Sequence, residues 1–206
     1  MNKQLLSITL FMLVLFNSFG QDSGDFELGG NIGLNIGNVS SIDGQSNASS
    51  RIAFNVGISG EYYFSDRWGL KTKLIYDSKG WSDGFITDEN FDTFSTDFIL
   101  SYVTLPIMAN WHFGSTRNWY LNFGPYIGFL ASAKDSELDL DLKDGFASTD
   151  FGLALGIGYK FEISDKAKLF FEFDGQSGFT DIFEMNDGDA IRNIRSSLNL
   201  GILFNL

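Results

Sequence analysis

Between Phe98 and Lys134 the side chains change character at every second residue. Val103, Leu105, Ile107, Ala109, Trp111 and Phe113 fall on one face of an extended chain, and Thr104, Met108, Asn110 and His112 on the other. After the polar stretch GSTRNW, Leu121, Phe123, Ile127 and Phe129 share a face against Asn122, Gly124, Tyr126, Gly128 and Ser132. A period of two is that of a strand, and two such runs across a short polar turn predict a hairpin. Folding it about Thr116 sets Phe113 beside Trp119, Trp111 beside Leu121, His112 beside Tyr120 and Asn110 beside Asn122. Apolar meets apolar and polar meets polar, which fixes the register.

The same rhythm returns along the chain. Predicted strands cover 25–38, 51–64, 68 to about 77, the two arms of the hairpin, 150–163, a run centred on Leu169 to Asp174, and 194–206. The connections after the second, fourth and sixth strands are short (SDR, GSTRN, SDKA), and those after the first, third, fifth and seventh are long and polar. Short turns on one rim and long loops on the other describe an outer-membrane barrel with its turns in the periplasm. The expected fold is therefore all-β: an eight-stranded antiparallel up-and-down transmembrane β-barrel.

Met1 to Gly20 reads differently. Lys3 gives a positive start, Leu5 to Phe16 an apolar run, and Ser18 and Gly20 small residues before Gln21. This is the pattern of a cleaved signal peptide, too short for a membrane-spanning helix. The expected organisation is a signal peptide over 1–20 and one barrel domain over 21–206. Chains with no second apolar helix cross a membrane only as closed barrels.

Aromatic residues collect near the short turns: Tyr62, Phe64 and Trp68, then Trp111, Phe113, Trp119 and Tyr120, then Tyr159, Phe161 and Phe171. They predict an aromatic girdle at the inner rim, with Tyr76, Trp81, Phe98, Tyr102 and Phe129 as candidates for an outer one. The polar rows carry Gly, Ser, Asn and charges that pair across predicted strands: Glu61 opposite Lys71, Glu162 opposite Lys168, and Glu172 and Asp174 next to Arg195. Such rows suit the narrow lumen of an eight-stranded barrel rather than a surface facing bulk water.

The net charge is −12, and the chain has no cysteine. Thiol catalysis, cysteine metal sites, disulfides and a lipidated cysteine are excluded. Nucleic acid is excluded as a partner for want of a basic stripe. Much of the negative charge lies in the outer loops: Asp83, Asp88, Glu89 and Asp92; Asp135, Glu137, Asp139, Asp141 and Asp144; Asp181, Glu184, Asp187 and Asp189. They read as a solvated repulsive surface, with divalent-cation binding as the sharper alternative. Loop aromatics (Trp81, Phe85, Phe91, Phe94, Phe146, Phe179, Phe183) either bind a partner or pack the loops onto the rim.

The segments LSYVTLPIMANWHF, YLNFGPYIGFLASAK, DFGLALGIGYKFEI and LFFEFDGQSGFTDI resemble the PorT-like outer-membrane β-barrel domain of Bacteroidota. The matching signals are Tyr102 with Leu105-Pro106, then Asn122, Gly124, Pro125 and Tyr126, then Asp150, Phe151 and Gly152. The chain departs from the pattern at Thr104 and at Asp174-Gly175. The resemblance implies a fold and a place in the outer membrane, with a role accessory to protein export as an analogy.

His112, the single histidine, lies by a short turn beside Tyr120 and reads as a hydrogen-bonding residue of the lumen or girdle. With no nucleophile elbow, phosphate loop or paired-His motif, no enzyme is expected, and no catalytic, cofactor-binding or metal residue is assigned. The expected function is a monomeric structural and interaction scaffold with acidic extracellular loops. The alternatives are a narrow porin-like channel for ions or small solutes and, last, a lipid-modifying enzyme. Expected partners are outer-membrane lipid, a protein at the extracellular loops, and the barrel-assembly machinery, which reads a C-terminal strand such as the one ending Phe204-Asn205-Leu206.

Overall fold

A computed structural model describes residues 24–40, 48–87 and 90–206. The expected signal peptide, residues 41–47 of the first loop, and Asp88 and Glu89 lie outside the described residues.

Eight strands run in sequence order around a closed ring: β1 Phe26–Val39, β2 Ser49–Tyr63, β3 Trp68–Thr87, β4 Thr93–Phe113, β5 Trp119–Asp135, β6 Thr149–Ser164, β7 Ala167–Gly178 and β8 Asn193–Asn205. Each pairs antiparallel with its neighbours, and β8 closes on β1 with Glu27 opposite Asn205 and Leu34 opposite Leu198. The expected hairpin register holds at His112–Tyr120, Trp111–Leu121 and Asn110–Asn122.

Exposure decides which face is which. Ile32, Ile52 and Phe54 on the apolar rows are 67%, 68% and 72% exposed, while Asn35 and Glu172 on the polar rows are 0% exposed. The apolar rows form the outer wall and the polar rows the lumen. In water such a wall is untenable; in lipid it is the favourable arrangement.

At the short-turn rim, ring contacts run from Trp68 through Trp111, Phe113, Trp119 and Tyr159 to Phe161, with centroids 4.6–6.3 Å apart. The inner girdle is therefore continuous across four strands. The expected outer girdle needs correcting. Tyr76 and Phe129 face outward, but Trp81 and Tyr102 are buried inside the outer mouth. Tyr102 shares the inward face of Thr104, and Trp81 that of Asp77 and Lys79.

Strand β3 is also longer than expected. The strand does not stop near Asp77; it continues to Thr87 and pairs with the start of β4 at Gly84–Thr96 and Thr87–Thr93. Register shifts between Ser50 and Asn55 on β2, and between Trp81 and Gly84 on β3, interrupt the alternation and hide the continuation. Gly80 sits at φ +110°, and a Cβ there would lie 1.9 Å from the Phe98 carbonyl oxygen, so only glycine fits. The predicted second outer loop is thus a tall β-ribbon with a short tip. Strand β7 likewise runs past Asp174 to Gly178.

Candidate functional site

Side chains meet across the lumen in layers. At the inner end Lys160 Nζ donates to Glu27 Oε2 at 2.6 Å, to Glu61 Oε2 at 2.9 Å and to the Tyr63 hydroxyl at 2.5 Å. Lys168 Nζ bonds the other Glu27 oxygen at 2.6 Å. Glu61 Oε1 lies 2.6 Å from His112 Nε2 and accepts from Asn110 at 2.7 Å. His112 Nδ1 faces the Arg117 carbonyl at 3.3 Å, so both ring nitrogens are engaged.

The middle layer is built on Glu172, which accepts from Lys71 and Asn122 on one oxygen and from Lys73 on the other. Arg195 grips Asp174 and Asp77. An amide network joins these two carboxylates. Asn35 donates to Asp77 at 2.8 Å, Asn55 to Asn35 at 2.6 Å, Asn31 to Asn55 and Asn199, and Asn199 to Asp174 at 2.9 Å. Near the outer end Lys79 Nζ donates to Asp150 at 2.8 Å, where Tyr126 and Asn193 also donate.

Six carboxylates (Glu27, Glu61, Asp77, Asp150, Glu172, Asp174) thus meet six cations (Lys71, Lys73, Lys79, Lys160, Lys168, Arg195). Among the described residues the interior is neutral, so the excess negative charge lies outside it. Burying so many ions costs several kcal/mol each unless every charge finds an opposite one, and the network supplies that match.

Above the charges an apolar cap fills the outer mouth. Trp81, Leu100, Tyr102 and Leu130 from the strands pack with Phe146, Ile182 and Ile191 from the loops. Trp81 stacks on Phe98 at 4.5 Å, and Phe146 stacks on Phe183 at 5.0 Å. Of the expected loop aromatics, Phe146 and Phe183 therefore hold loops to the rim with Trp81 of β3, whereas Phe91 at the ribbon tip is 89% exposed. The inner mouth differs. A polar vestibule of about 470 Å³ opens there, lined by Glu27, Tyr63, His112, Arg117, Lys160 and Lys168.

Several expectations are corrected at the level of side chains. Glu61 and Lys71 are opposite in register, yet Glu61 pairs with Lys160 and Lys71 with Glu172. Glu162 and Lys168 are also opposite in register, but Glu162 is exposed and Lys168 turns inward to Glu27. Ser132 does not line the lumen. An extra residue, Ala131, at the β4–β5 bulge hands that place to Ala133. Asn186 is spent on Asp181 and the Asp189 carbonyl, and among the described residues no three His, Cys, Asp or Glu side chains converge as a metal site. Lys79, and the partners of Lys73 and of the amide network, were missed by sequence reasoning; Lys73, Asn31, Asn35, Asn55 and Asn199 fall on the polar rows by period alone, and those rows were their signal.

The motif residues converge as well. Tyr126 donates to Asp150 at 3.2 Å, and Asn193 links Asp150 to the Tyr102 hydroxyl. Pro106, lacking an N–H, breaks the β3–β4 ladder, and the Thr72 hydroxyl bonds its carbonyl at 3.0 Å.

A closed antiparallel ring with an apolar wall, an aromatic girdle and a charge-matched lumen defines a membrane-spanning barrel of the outer-membrane type. The chain belongs to the outer membrane protein beta-barrel domain family, whose model matches residues 19–184 and so spans β1 to β7. It is an outer-membrane protein. Neisserial surface protein A is similar in fold, with a TM-score of 0.52 at 17% identity over 88% of this chain and 98% of that one. OprG from Pseudomonas aeruginosa is similar at a TM-score of 0.52 and 14% identity, over 91% and 98% of the two chains. Identities this low speak to fold alone. No curated protein matches the sequence.

Proposed function

We propose that this barrel is a sealed outer-membrane scaffold that displays an acidic loop surface to a protein partner. The observation that carries the reading is the lumen: its charges are bonded to one another across the section, under an apolar cap of Trp81, Tyr102, Phe146 and Ile182. A conducting pore needs mobile water along its axis, and here the axis is occupied by paired side chains. The narrow-channel reading draws only on the open inner vestibule, which ends at the Glu27–Lys160 layer.

The protein acts as a monomer, without enzymatic activity, and is read by the barrel-assembly machinery through β8. The finer kinship to PorT-like proteins rests on Tyr102, Tyr126 and Asp150, which serve here as one hydrogen-bonded cluster. Planar-bilayer recording of the folded protein tests the main reading. Absence of unitary conductance is the expected result, and steady conductance overturns it. Identical lipid A from cells with and without the protein is expected for a non-enzyme. Crosslinking on intact cells is expected to capture a partner through the outer loops.

A further inference from the structure

The wall between β2 and β3 is incomplete. Their ladder runs from Tyr63–Gly69 to Asn55–Asp77 and resumes only at Ser50–Trp81, so residues 51–54 and 78–80 are not paired with each other. Side chains take over the carbonyls left free: Asn35 donates to the Ser78 carbonyl at 2.9 Å, and Arg51 Nη1 to the Lys79 carbonyl at 3.2 Å. Nη1 also bonds the Ser78 hydroxyl at 3.2 Å. Nη2 and Nε have no partner among the described residues, and no carboxylate there lies within ion-pair distance of the guanidinium.

The height of this gap follows from strand geometry. Strands tilted as in such barrels climb about 2.5 Å per residue, so an apolar band of about 25 Å takes about ten residues. Counting ten outward from the girdle residues Tyr62, Trp68 and Trp111 reaches Ile52, Ser78 and Ser101. Arg51 therefore stands at the outer headgroup level. Directly below it a groove of about 630 Å³ runs down the wall, lined by Ile52, Phe54, Val56 and Tyr76 with Arg51 and Ser78 at its head.

A half-buried guanidinium whose Nη2 and Nε are unengaged among the described residues, above an apolar groove, complements a phosphate bearing an acyl chain. Asp97 is the carboxylate whose charge reaches Arg51, and it opposes an anion there. We propose that the β2–β3 cleft holds one lipid of the surrounding membrane that carries a phosphate monoester, its phosphate on Arg51 and an acyl chain along Ile52, Phe54, Val56 and Tyr76. The lipid completes a wall that the backbone leaves unbonded.

The test is native mass spectrometry of the full folded chain titrated with dioleoyl phosphatidic acid or dioleoyl phosphatidylcholine. One phosphatidic acid per barrel is expected to be retained, with R51Q weakening it about tenfold, as loss of a charge-assisted contact implies. R67Q, in the first short turn, is expected to bind like the parent, D97N more tightly, and F54A more weakly. Equal affinity for the two lipids, unchanged binding by R51Q, or an equal loss in R67Q overturns the proposal. Displacement by inorganic phosphate alone also overturns it, since the anion would then bind without its chain. If R51Q gives no compact band on an unheated gel, D97N decides: tightening supports the site, and unchanged affinity overturns it.

Discussion

Lys71 Nζ lies 2.6 Å from Glu172 Oε2, on a strand four places away around the ring, rather than on Glu61, its neighbour in register. The barrel is narrow enough for long side chains to bridge opposite walls, so ion pairs here fasten the cylinder across its diameter. Glu172 also holds Lys73, which retains Asp174 as a second partner, whereas Lys71 has no other salt bridge among the described residues. Replacing Glu172 by Gln leaves a buried ammonium uncompensated, a loss of ~3–5 kcal/mol. Glu61→Gln is expected to cost less, because Lys160 keeps Glu27. Urea unfolding midpoints in lipid vesicles should rank parent, E61Q and E172Q in that order of falling stability.

Gly80 should be intolerant of any side chain. At φ +110°, with a Cβ 1.9 Å from the Phe98 carbonyl, alanine must push β3 off β4 and withdraw Trp81 from the cap. G80A is expected to lose most of the compact, heat-modifiable band after refolding. G145A is the control: Gly145 has open space around its Cβ direction and should refold like the parent.

The cap and the charged layers obstruct the lumen separately. Trp81→Ala removes a side chain that is 1% exposed and should cost ~3–5 kcal/mol. Bilayer recordings of W81A are nonetheless expected to stay silent, because the Lys79–Asp150 and Arg195–Asp77 layers beneath remain. Conductance in W81A would show that the cap alone closes the barrel.

Loop three should respond to acid through Asp135, six residues beyond Phe129, which itself lies ten residues outward from the girdle residue Trp119. Burial pushes its carboxyl upward, but N–H donors from Leu138, Leu140 and Glu137 outweigh this and hold it below the usual carboxylate range. A depressed carboxylate stabilises fully above its unfolded pKa of about 4 and ceases to do so as pH falls through the lower folded value. Amide protection factors at Leu138 and Leu140, measured against intrinsic rates, should be level from pH 7 to about 5 and fall below about 4. In D135N the exchange should be fast already at pH 7, with no acid step.

The ring itself was legible because period two and short turns leave one acceptable pairing. His112 opposite Tyr120 and Glu61 opposite Lys71 both follow from that rule. Ion partners were not legible, since a register describes adjacent strands while Lys71 and Lys160 reach across the interior. The extension of β3 was masked beyond Trp81, where a bulge before Gly84 breaks the alternation that would have revealed it. The cap was invisible for a related reason: Phe146 and Ile182 sit in loops, where no periodicity says which way a side chain points. Arg51 likewise reads as an ordinary strand-end cation until the gap beside it is seen.

Because β8 bonds to β1 along its length, the ring has no edge strand, and among the described residues the β2–β3 gap is the longest break in its ladders. A second polypeptide therefore has no seam on which to add itself as a ninth member. Within the bilayer, recognition of this protein is left to side chains on a finished surface, and its insertion must be completed before that surface exists.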